Sequence, residues 1–291
     1  MAESDSLAGH AMERAHEEIL RVDSLLWEEN PVSEIYKFNH SRESAELDRE
    51  AVSFLKRAFD YHEISQGAFD VTIKPVLDLY DFKSENASPP SPEEIPKKLK
   101  FVGMEKIRFR DVNRLDKIDA EVSVAVGGLA KGHAVDRAIQ ILIENGIRNA
   151  LINAGGDLYC LGTKRGEPWA VGVQDPDNAN GIMEILYLSD MAAATSGDYQ
   201  RYFMHNGERY HHILDPKNGK PARGSRSATI IAETAEKADA LATALFVLGR
   251  NKGIALIDSL ASIEGMVIDS LGEMSQSSGY ESFIVKDEQP N

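Results

Sequence analysis

Asp239 and Thr243 are a pair of residues whose types and spacing could do chemistry. They stand four residues apart in a predicted helix, Thr234–Leu248, whose buried face carries an apolar stripe. Residues at i and i+4 share one face of a helix, so a carboxylate and a hydroxyl would lie one turn apart. Two such oxygens, completed by phosphate oxygens, commonly hold Mg²⁺. Taken alone, the pair is better explained by an Asp on a solvated edge and a Thr that bonds back to its own helix.

A glycine turn followed by a lysine is the second feature, and it could bind an anion. The alternation of Val122, Val124 and Val126 predicts a strand over Ser123–Val126, and Gly127-Gly128 ends it. A helix is predicted over Lys131–Asn145. Glycines let the backbone approach a phosphate, and a helix N-terminus presents unpaired N–H groups. An ordinary tight turn between a strand and a helix explains the same pattern equally well.

Two adjacent histidines are candidates for proton transfer near neutral pH. His211 and His212 fall in a predicted strand, Tyr210–Leu214, where successive side chains face opposite ways. At most one of the two can therefore face a given site. A core or surface histidine is the more common explanation of such a residue. Asn218-Gly219 follows and predicts a tight turn.

Two glycine-containing segments could also contact a ligand. Asn153–Asp157 reads as a strand that ends in two glycines and an acid, which also fits a simple hairpin. Thr195–Asp198 combines two hydroxyls, a glycine and an acid, and helix capping is its more common role. Neither segment decides a function by itself.

The composition limits the classes of partner. The chain has 291 residues with 32 Lys and Arg against 47 Asp and Glu, a formal net charge of −15. Such a balance argues against nucleic acid and anionic membrane surfaces, since both are negatively charged. Cys160 is the one cysteine, so no intramolecular disulfide can form. The length is sufficient for a sizeable core.

The start of the chain gives little information about its location. We expect residues 1–10 to be disordered or vector-derived, and residues 11–291 to form a single domain. No basic and apolar signal pattern is present at the start, and no stretch approaches the ~20 apolar residues of a membrane helix. Two locations stay open: the cytoplasm, or an exported protein whose signal has been removed.

Predicted strands outnumber predicted helices and mostly follow one another directly, which favours an α+β fold over a doubly wound parallel sheet. Further helices are predicted over Ala11–Trp27 and Asp48–Ile64. Ala68–Val76 is predicted to be extended, Ser33–Asn39 to be a short polar segment, and Ser84–Lys100 to be a surface excursion. The remaining predicted strands are Lys106–Arg110, Asn149–Asn153, Trp169–Val173, Met183–Leu188, Ser227–Ala232, Gly265–Ile268 and Phe283–Val285, with a hairpin turn at Leu271-Gly272.

Taken together and in order, these motifs resemble the ApbE family, the bacterial FAD:protein FMN transferases. The resemblance is carried by GGLAKGHAVDRA, LINAGGDLYCLG, ATSGDYQRYF, RYHHILDPKNGKPA and KADALATALFVLG, and it extends over about Ala15 to Gly249. It implies an ApbE-like layered α+β fold with a flavin cleft between two halves. It also implies transfer of FMN from FAD to a Ser or Thr hydroxyl of a target flavoprotein, with a phosphoester formed and AMP released.

The resemblance further implies roles for particular residues. The FAD contacts would be Ala68, Phe69, Asp70, Lys131, Arg137 and Ile213. Mg²⁺ would be held by the Ala134 carbonyl and the side chains of Asp239 and Thr243, and His212 would be catalytic. Ala125 and His133 depart from the family pattern, which usually has an acid and often a Tyr there. The strand with which family chains usually open is also not evident before Ala11.

Two other functions remain open at this point. An FAD pyrophosphatase would use the same residues with water in place of the hydroxyl, giving FMN and AMP. A non-catalytic flavin-binding protein would not need Asp239, Thr243 and His212 together. The acceptor implied by the resemblance carries a segment like Asp-x-x-Ser/Thr-Gly-Ala-Ser/Thr, typically in a redox-complex subunit. That pattern is not found in this chain, so self-flavinylation is not expected.

Overall fold

The computed structural model describes residues 5–84 and 86–284. Its helices are α1 (Asp5–Leu26), α2 (Glu34–His40), α3 (Arg49–Ile64), α4 (Lys74–Leu77), α5 (Glu94–Leu99), α6 (Ala130–Glu144) and α7 (Ala235–Asp258). The first strands are β1 (Ser44–Glu46), β2 (Ile107–Phe109), β3 (Arg114–Lys117), β4 (Ala150–Ala154), β5 (Asp157–Leu161), β6 (Trp169–Asp175) and β7 (Asn178–Leu188). They are followed by β8 (Met191–Gly197), β9 (Tyr202–His205), β10 (Glu208–His211), β11 (Leu214–Asp215), β12 (Lys220–Pro221), β13 (Ser225–Ala232), β14 (Glu264–Asp269) and β15 (Met274–Gln276).

The chain divides into two compact units. Unit 1 comprises the described parts of Met1–Ile19, Lys131–Gly197 and Gly224–Asn291, and unit 2 comprises Leu20–Ala130 and Asp198–Arg223. The mixture of helices and antiparallel sheets confirms the predicted α+β class. The single domain predicted for residues 11–291 stays a prediction.

Unit 1 is built on a sheet that one long helix covers. Among its described residues, six strands pair in the order β15-β14-β13-β8-β5-β4, and each neighbouring pair is antiparallel. Helix α7 contacts β8, β13 and β14 of this sheet. The strand β8 supplies three buried alanines at its centre, Ala192–Ala194. Small side chains there let a helix rest close to the sheet.

A second layer of unit 1 comes from the β6–β7 ribbon. Leu158 and Cys160 of the sheet pack with Val173, Leu186 and Leu188 of the ribbon. Burial raises the pKa of the Cys160 thiol to about 12. The thiol therefore stays protonated near neutral pH and behaves as an apolar core side chain.

Unit 2 combines short helices with small sheets. Strands β1, β3 and β2 pair in that order, and β9–β10 and β11–β12 are antiparallel ribbons. Val76, Tyr80, Ile95 and Leu214 form one of its hydrophobic clusters. The buried Tyr80 hydroxyl donates a hydrogen bond of 2.9 Å to the carbonyl oxygen of Gly219, so this aromatic side chain buries its ring without leaving its polar atom unsatisfied.

The predicted strand over Ser123–Val126 is not a strand in the structure. Instead of a ladder, its backbone bonds to scattered partners: the Asn39 amide donates to the Val124 carbonyl and accepts from the Val124 N–H, and the Ala125 N–H donates to the Val71 carbonyl at 2.7 Å. The buried Lys117 ammonium donates to the carbonyls of Asn39, Ala120 and Val122 at 3.0–3.1 Å. The alternating valines are buried side chains. The hydrogen-bond partners of their backbone groups come from other segments of unit 2.

Other local predictions were also wrong. Ala68–Val76 is not extended, because Asp70 caps a 3₁₀ turn over Val71–Ile73 that leads into α4. Ser33–Asn39, for which only a short polar segment was predicted, is largely helical, with Ser33 as the N-cap of α2. A strand was predicted over Phe283–Val285, but Phe283 is the last residue of a 3₁₀ turn over Tyr280–Phe283. Val285 lies outside the described residues. The predicted strand over Tyr210–Leu214 is interrupted between β10 and β11.

The start of the first helix and the end of the last helix differ from the prediction, whereas Thr234 is the N-cap of α7 as predicted. Helix α1 begins at Asp5 rather than Ala11, and residues 1–4 of the segment predicted to be disordered lie outside the described residues. Helix α7 continues to Asp258, across non-helical φ and ψ angles at Gly249 (φ 69°). With a mean hydropathy of 1.4 over its most apolar window, α7 is long and apolar enough to cross a membrane, but half of that window is buried within the structure.

Candidate functional site

Close packing of α6 against the start of α7 builds the first part of the site. A Cβ atom on Gly132 would lie 2.2 Å from the carbonyl oxygen of Ala235, so only glycine fits there. The Asp136 carboxylate accepts hydrogen bonds from the backbone N–H groups of Ala235 (2.7 Å) and Glu236 (2.9 Å). It therefore caps the N-terminus of α7 from another helix, where the helix dipole favours a negative charge. Burial nevertheless raises the pKa of Asp136 to about 6.

A second link between the two helices joins the buried side chains of His133 and Glu236. His133 Nδ1 lies 2.9 Å from Glu236 Oε2. Together with the Asp136 cap, this contact fixes the first turn of α7 against α6. The residues that follow on α7 are therefore held at a defined position relative to Lys131 and Ala134 of α6.

Lys131, Asp157 and Asp239 come together beside this helix contact. The Lys131 ammonium pairs with the Asp157 carboxylate, and the Gly132 N–H donates to Asp239 Oδ2 at 3.3 Å. Burial raises the pKa of Asp239 well above its usual range, and the neighbouring charge of Asp157 adds to this effect. Burial also raises the pKa of Asp157, although Lys131 opposes that shift. Two buried carboxyl groups therefore share one ammonium group.

Hydroxyl groups complete the cluster. Thr243 lies one turn after Asp239 on α7, and its Oγ1 is 3.3 Å from the Ser196 Oγ on β8. Ala134, which the sequence analysis assigned to the metal through its carbonyl, is a buried residue three positions after Lys131. The structure thus brings Lys131, Ala134, Asp239 and Thr243 into one unit, with Asp157 and Ser196 as additional neighbours.

The donor set of this cluster fits a hard divalent cation. Carboxylate, hydroxyl and carbonyl oxygens are the ligands that Mg²⁺ prefers, and a bound cation would favour the ionised form of the Asp239 carboxyl, which burial disfavours. No group of three or more His, Cys, Asp and Glu side chains with metal-binding geometry occurs within residues 5–84 and 86–284. A metal ion at this position would therefore depend on hydroxyl and carbonyl oxygens in addition to the carboxylates.

Arg137 lies on α6 but has a partner on a different helix. Its guanidinium Nε is 3.0 Å from Glu18 Oε1 of α1, and the Glu18 side chain is mostly buried. This ion pair ties α1 to α6 inside unit 1. A role of Arg137 toward FAD stays a prediction.

The Ala68–Asp70 segment, implied as an FAD contact, lies in unit 2 with its side chains buried. Asp70 Oδ1 accepts hydrogen bonds from the N–H and the hydroxyl of Thr72, and Asp70 Oδ2 is 3.4 Å from His62 Nδ1. The Phe69 carbonyl oxygen lies 3.1 Å from the same His62 nitrogen. These side chains therefore support the turn itself.

The two adjacent histidines have different environments. His211 is 2% exposed, and its Nε2 lies 2.8 Å from the carbonyl oxygen of Ala222. Burial lowers the pKa of His211 to about 4, so the ring is neutral near pH 7. His212 is only partly buried, and both its backbone N–H (3.1 Å) and its Nδ1 (3.2 Å) face the carbonyl oxygen of Arg201.

The Arg201 carbonyl determines the tautomer of His212. A carbonyl oxygen only accepts hydrogen bonds, so Nδ1 of a neutral His212 carries the proton and Nε2 holds the lone pair. His212 can therefore act as a base through Nε2. The next residue, Ile213, is 6% exposed, and its carbonyl accepts from the Ala222 N–H at 3.0 Å. The β11–β12 turn at Asn218-Gly219 follows as predicted, with φ of 69° at Gly219.

Comparison with known proteins decides the family. A model described as the ApbE family matches residues 2–286. This chain belongs to the ApbE family. The FAD:protein FMN transferase of Haemophilus influenzae is 32% identical over 259 residues, which is 83% of this chain and 75% of the relative. The FAD:protein FMN transferase of Vibrio cholerae is 34% identical over 235 residues, 78% of this chain and 70% of the relative.

Solved structures agree with the ApbE assignment. The crystal structure of the ApbE protein from Thermotoga maritima matches with a TM-score of 0.90 and 38% identity, covering 95% of this chain and 92% of the other. The flavin transferase ApbE from Vibrio cholerae matches with a TM-score of 0.84 and 29% identity, covering 98% and 92%. The predicted ApbE-like α+β fold is therefore confirmed.

Two residues of this candidate site were not assigned a role from the sequence. Asp157 was noted only as the acid after two glycines, and the structure shows a hairpin there, with Gly155 and Gly156 at φ of 68° and 104°. The hairpin accounts for the two glycines, whereas the carboxylate of Asp157, the next residue, pairs with the Lys131 ammonium. Asp136 gave no local signal, because it caps a helix that begins about a hundred residues later in the chain.

Proposed function

We propose that this chain transfers FMN from FAD to a Ser or Thr hydroxyl of an acceptor protein and releases AMP. Membership in the ApbE family supports the reaction, since the relatives in H. influenzae and V. cholerae bear the name FAD:protein FMN transferase. The observation that carries the proposal in this chain is the cluster of Asp239, Thr243 and Lys131. It combines oxygen ligands for a cation with an ammonium group for an anionic substrate.

Mg²⁺ would be held by the Asp239 carboxylate, the Thr243 hydroxyl and the Ala134 carbonyl. When bound, such an ion neutralises negative charge on a diphosphate and on the leaving phosphate. The Asp136 and Glu236 contacts position these ligands, because they fix the start of α7 against α6. Several buried polar contacts therefore align α6 and α7 at this point.

We infer that Lys131 binds the FAD diphosphate. Its side chain is 45% exposed, whereas its partner Asp157 is 2% exposed, so the ammonium is anchored on one side and accessible on the other. Burial alone would lower the pKa of Lys131, but the carboxylates of Asp239 and Asp157 outweigh burial and raise it. Lys131 therefore remains charged at neutral pH.

The remaining FAD contacts are proposed from the family resemblance. They are Ala68, Phe69, Asp70, Arg137 and Ile213. The side chains of the Ala68–Asp70 segment are buried, and the Asp70 carboxylate is occupied by Thr72. We therefore assign the contribution of this segment to its backbone atoms.

His212 takes the proton of the acceptor hydroxyl through Nε2. The hydroxyl oxygen then forms a bond to the FMN phosphorus, and the bond from that phosphorus to the bridging oxygen breaks. That oxygen leaves with AMP, and the FMN is joined to the acceptor by a phosphoester. A neutral imidazole accepts a proton at the ring nitrogen that holds the lone pair, which suits the role of general base.

Mass spectrometry of an acceptor tests this proposal. A flavoprotein with an Asp-x-x-Ser/Thr-Gly-Ala-Ser/Thr segment is incubated with this protein, FAD and Mg²⁺, and AMP is measured in parallel. We expect one FMN phosphoester per acceptor and one AMP per FMN transferred. AMP with free FMN and an unmodified acceptor would identify an FAD pyrophosphatase instead. FAD binding with no AMP would identify a non-catalytic flavin carrier.

A further inference from the structure

The position of the Arg201 carbonyl oxygen decides which ring nitrogen of His212 can act as a base. This oxygen lies 3.2 Å from His212 Nδ1, so it keeps the proton on Nδ1 and the lone pair on Nε2. The backbone N–H of His212 donates to the same oxygen at 3.1 Å. Arg201 directly precedes β9, and His212 directly follows β10. The contacts that hold Arg201 in place therefore also set the direction of the His212 lone pair.

The β9–β10 ribbon is attached to unit 2 through side chains. Its strands, Tyr202–His205 and Glu208–His211, pair with each other, and within residues 5–84 and 86–284 neither pairs with a third strand. A two-stranded ribbon is at best marginally stable alone in water. Phe203 of β9 and Tyr210 of β10 pack against the hydrophobic cluster that contains Tyr80. The ribbon therefore depends on these ring contacts for its position.

Phe82 joins the Arg201 segment to this cluster. The Arg201 guanidinium lies over the Phe82 ring, 5.7 Å from its centroid, and the centroid of the Phe203 ring is 5.5 Å from that of Phe82. A cation over a ring and a pair of neighbouring rings are both favourable contacts. Residues two apart in an extended segment face the same side, and both Arg201 and Phe203 meet Phe82 there. One ring thus holds the chain at Arg201 and again two residues later.

Phe82 is itself anchored in the core of unit 2. Its ring stacks on the ring of Tyr80, with centroids 5.6 Å apart and an interplanar angle of 9°. Tyr80 is 1% exposed, and its hydroxyl donates to the Gly219 carbonyl oxygen at 2.9 Å. On the other side, the rings of Phe203 and Tyr210 stack at 5.4 Å. We name these four residues the ring stack: Tyr80, Phe82, Phe203 and Tyr210.

We propose that Phe82 is a positioning residue for FMN transfer, which acts on His212 through Arg201. The proposal rests on the proposed function, in which His212 Nε2 takes the proton of the acceptor hydroxyl. Without the Phe82 ring, the Arg201 backbone loses its anchor, and its carbonyl oxygen no longer keeps the proton on Nδ1. The proton then resides on Nε2 in part of the molecules. That nitrogen has no lone pair in this tautomer and cannot accept a proton.

Single-turnover FMN transfer with saturating FAD measures the effect on the chemical step. Phe82→Leu keeps an apolar side chain without the ring, and we expect it to lower the rate about tenfold with FAD affinity unchanged, because the base is misplaced. Phe82→Tyr keeps the ring and should restore the wild-type rate. Phe203→Leu removes the neighbouring ring and should reproduce the loss.

Phe109→Leu is the matched control. The Phe109 ring of β2 also packs against an aromatic ring, that of Phe59 at 4.9 Å, and the Lys56 ammonium lies over it at 5.6 Å. Loss of this ring removes the same kinds of contact from unit 2 but leaves the ring stack intact. The rate of FMN transfer in Phe109→Leu should therefore equal that of the wild type.

The ¹⁵N NMR shifts of the His212 ring give a readout that does not depend on activity. They distinguish a protonated ring nitrogen from one with a lone pair, and the spectrum of His212→Gln identifies the His212 signals. With no FAD or acceptor present, we expect the proton of the neutral ring on Nδ1 in the wild type, in Phe82→Tyr and in Phe109→Leu. Phe82→Leu should show a mixture of both tautomers. Arg201→Gln changes an exposed side chain, so it tests the same link without disturbing the core, and it should show a smaller shift toward the mixture.

The outcomes separate this proposal from the proposed function. A wild-type rate or an unchanged tautomer in Phe82→Leu would overturn the positioning role. An equal loss in Phe109→Leu, or no recovery in Phe82→Tyr, would also overturn it, because the ring would then matter only for stability. A changed tautomer in Phe82→Leu, with AMP released but no FMN on an acceptor even in the wild type, would overturn FMN transfer and leave the control of His212 by Phe82 standing.

Discussion

Replacing Gly132 with alanine tests the helix contact on which the candidate site depends. Helix propensity alone predicts that Gly132→Ala stabilises α6 by about 0.5–1 kcal/mol. The structure predicts the opposite sign. The added Cβ would lie 2.2 Å from the Ala235 oxygen, 2.5 Å from the Ala235 carbonyl carbon and 2.7 Å from Glu236 Cα. All three atoms belong to the backbone and cannot rotate away.

The expected magnitude follows from these distances. The helices must separate by about 1 Å to restore normal contacts, and such overpacking costs about 1–3 kcal/mol. The same movement weakens the two hydrogen bonds of the Asp136 cap, whose loss costs about 1 kcal/mol. After the gain in propensity is subtracted, we expect Gly132→Ala to lower the free energy of unfolding by about 2 kcal/mol. A displacement of about 1 Å near Asp239 would also lower FMN transfer by about 10²-fold.

Urea unfolding followed by circular dichroism measures the stability, and FMN transfer measures the activity. Gly9→Ala is the matched control, because Gly9 lies in the interior of α1 and a Cβ there meets no atom within 4 Å. This control should raise the free energy of unfolding by about 0.5–1 kcal/mol. If Gly132→Ala stabilised the protein as Gly9→Ala does and kept full activity, the close-approach argument would be refuted.

Four further predictions concern the site. Asp239→Ala should abolish AMP release at limiting Mg²⁺ with an unchanged circular dichroism spectrum, and retained activity would contradict the metal assignment. Lys131→Ala should weaken FAD binding by about 1.5–3 kcal/mol, measured by calorimetry. In single-turnover experiments with saturating FAD, His212→Ala should lower the rate of FMN transfer about 10²–10⁴-fold, and His211→Ala should lower it little. A large loss in His211→Ala with a small loss in His212→Ala would assign the catalytic role to His211 instead. The pKa of His211 is lowered to about 4, so folding favours the neutral form of this side chain. The stability that the neutral ring contributes is therefore complete above pH 6.5 and is lost as the pH falls toward 4. The loss amounts to about 3 kcal/mol, and urea unfolding at several pH values should show a weaker pH dependence in His211→Gln.

Much of the architecture could be predicted from the sequence because its signals are local. The apolar periodicity located α6 and α7. Runs of alternating apolar and polar residues that end at glycines predicted strands. Asn218-Gly219 predicted a turn that the structure shows, with positive φ at Gly219. The placement of Asp239 and Thr243 on one helical face also needed only their spacing of four residues.

The tertiary structure decided which atoms satisfy the backbone and which side chains meet. Val122–Val126 has the alternation of a strand, yet its backbone bonds to groups such as the Asn39 amide and the Lys117 ammonium, which lie within reach only in the folded unit. Asp157 joins the site because β5 lies beside the start of α6, which its own neighbours do not reveal. Periodicity along the chain reports which face of an element is buried, whereas the partners of buried charges depend on residues far away in sequence. By itself, the sequence therefore located the four long helices α1, α3, α6 and α7, the Asn218-Gly219 turn and the spacing of the metal-ligand candidates. Only the tertiary structure determined the carboxyl pair of Asp157 and Asp239 and the close contact at Gly132.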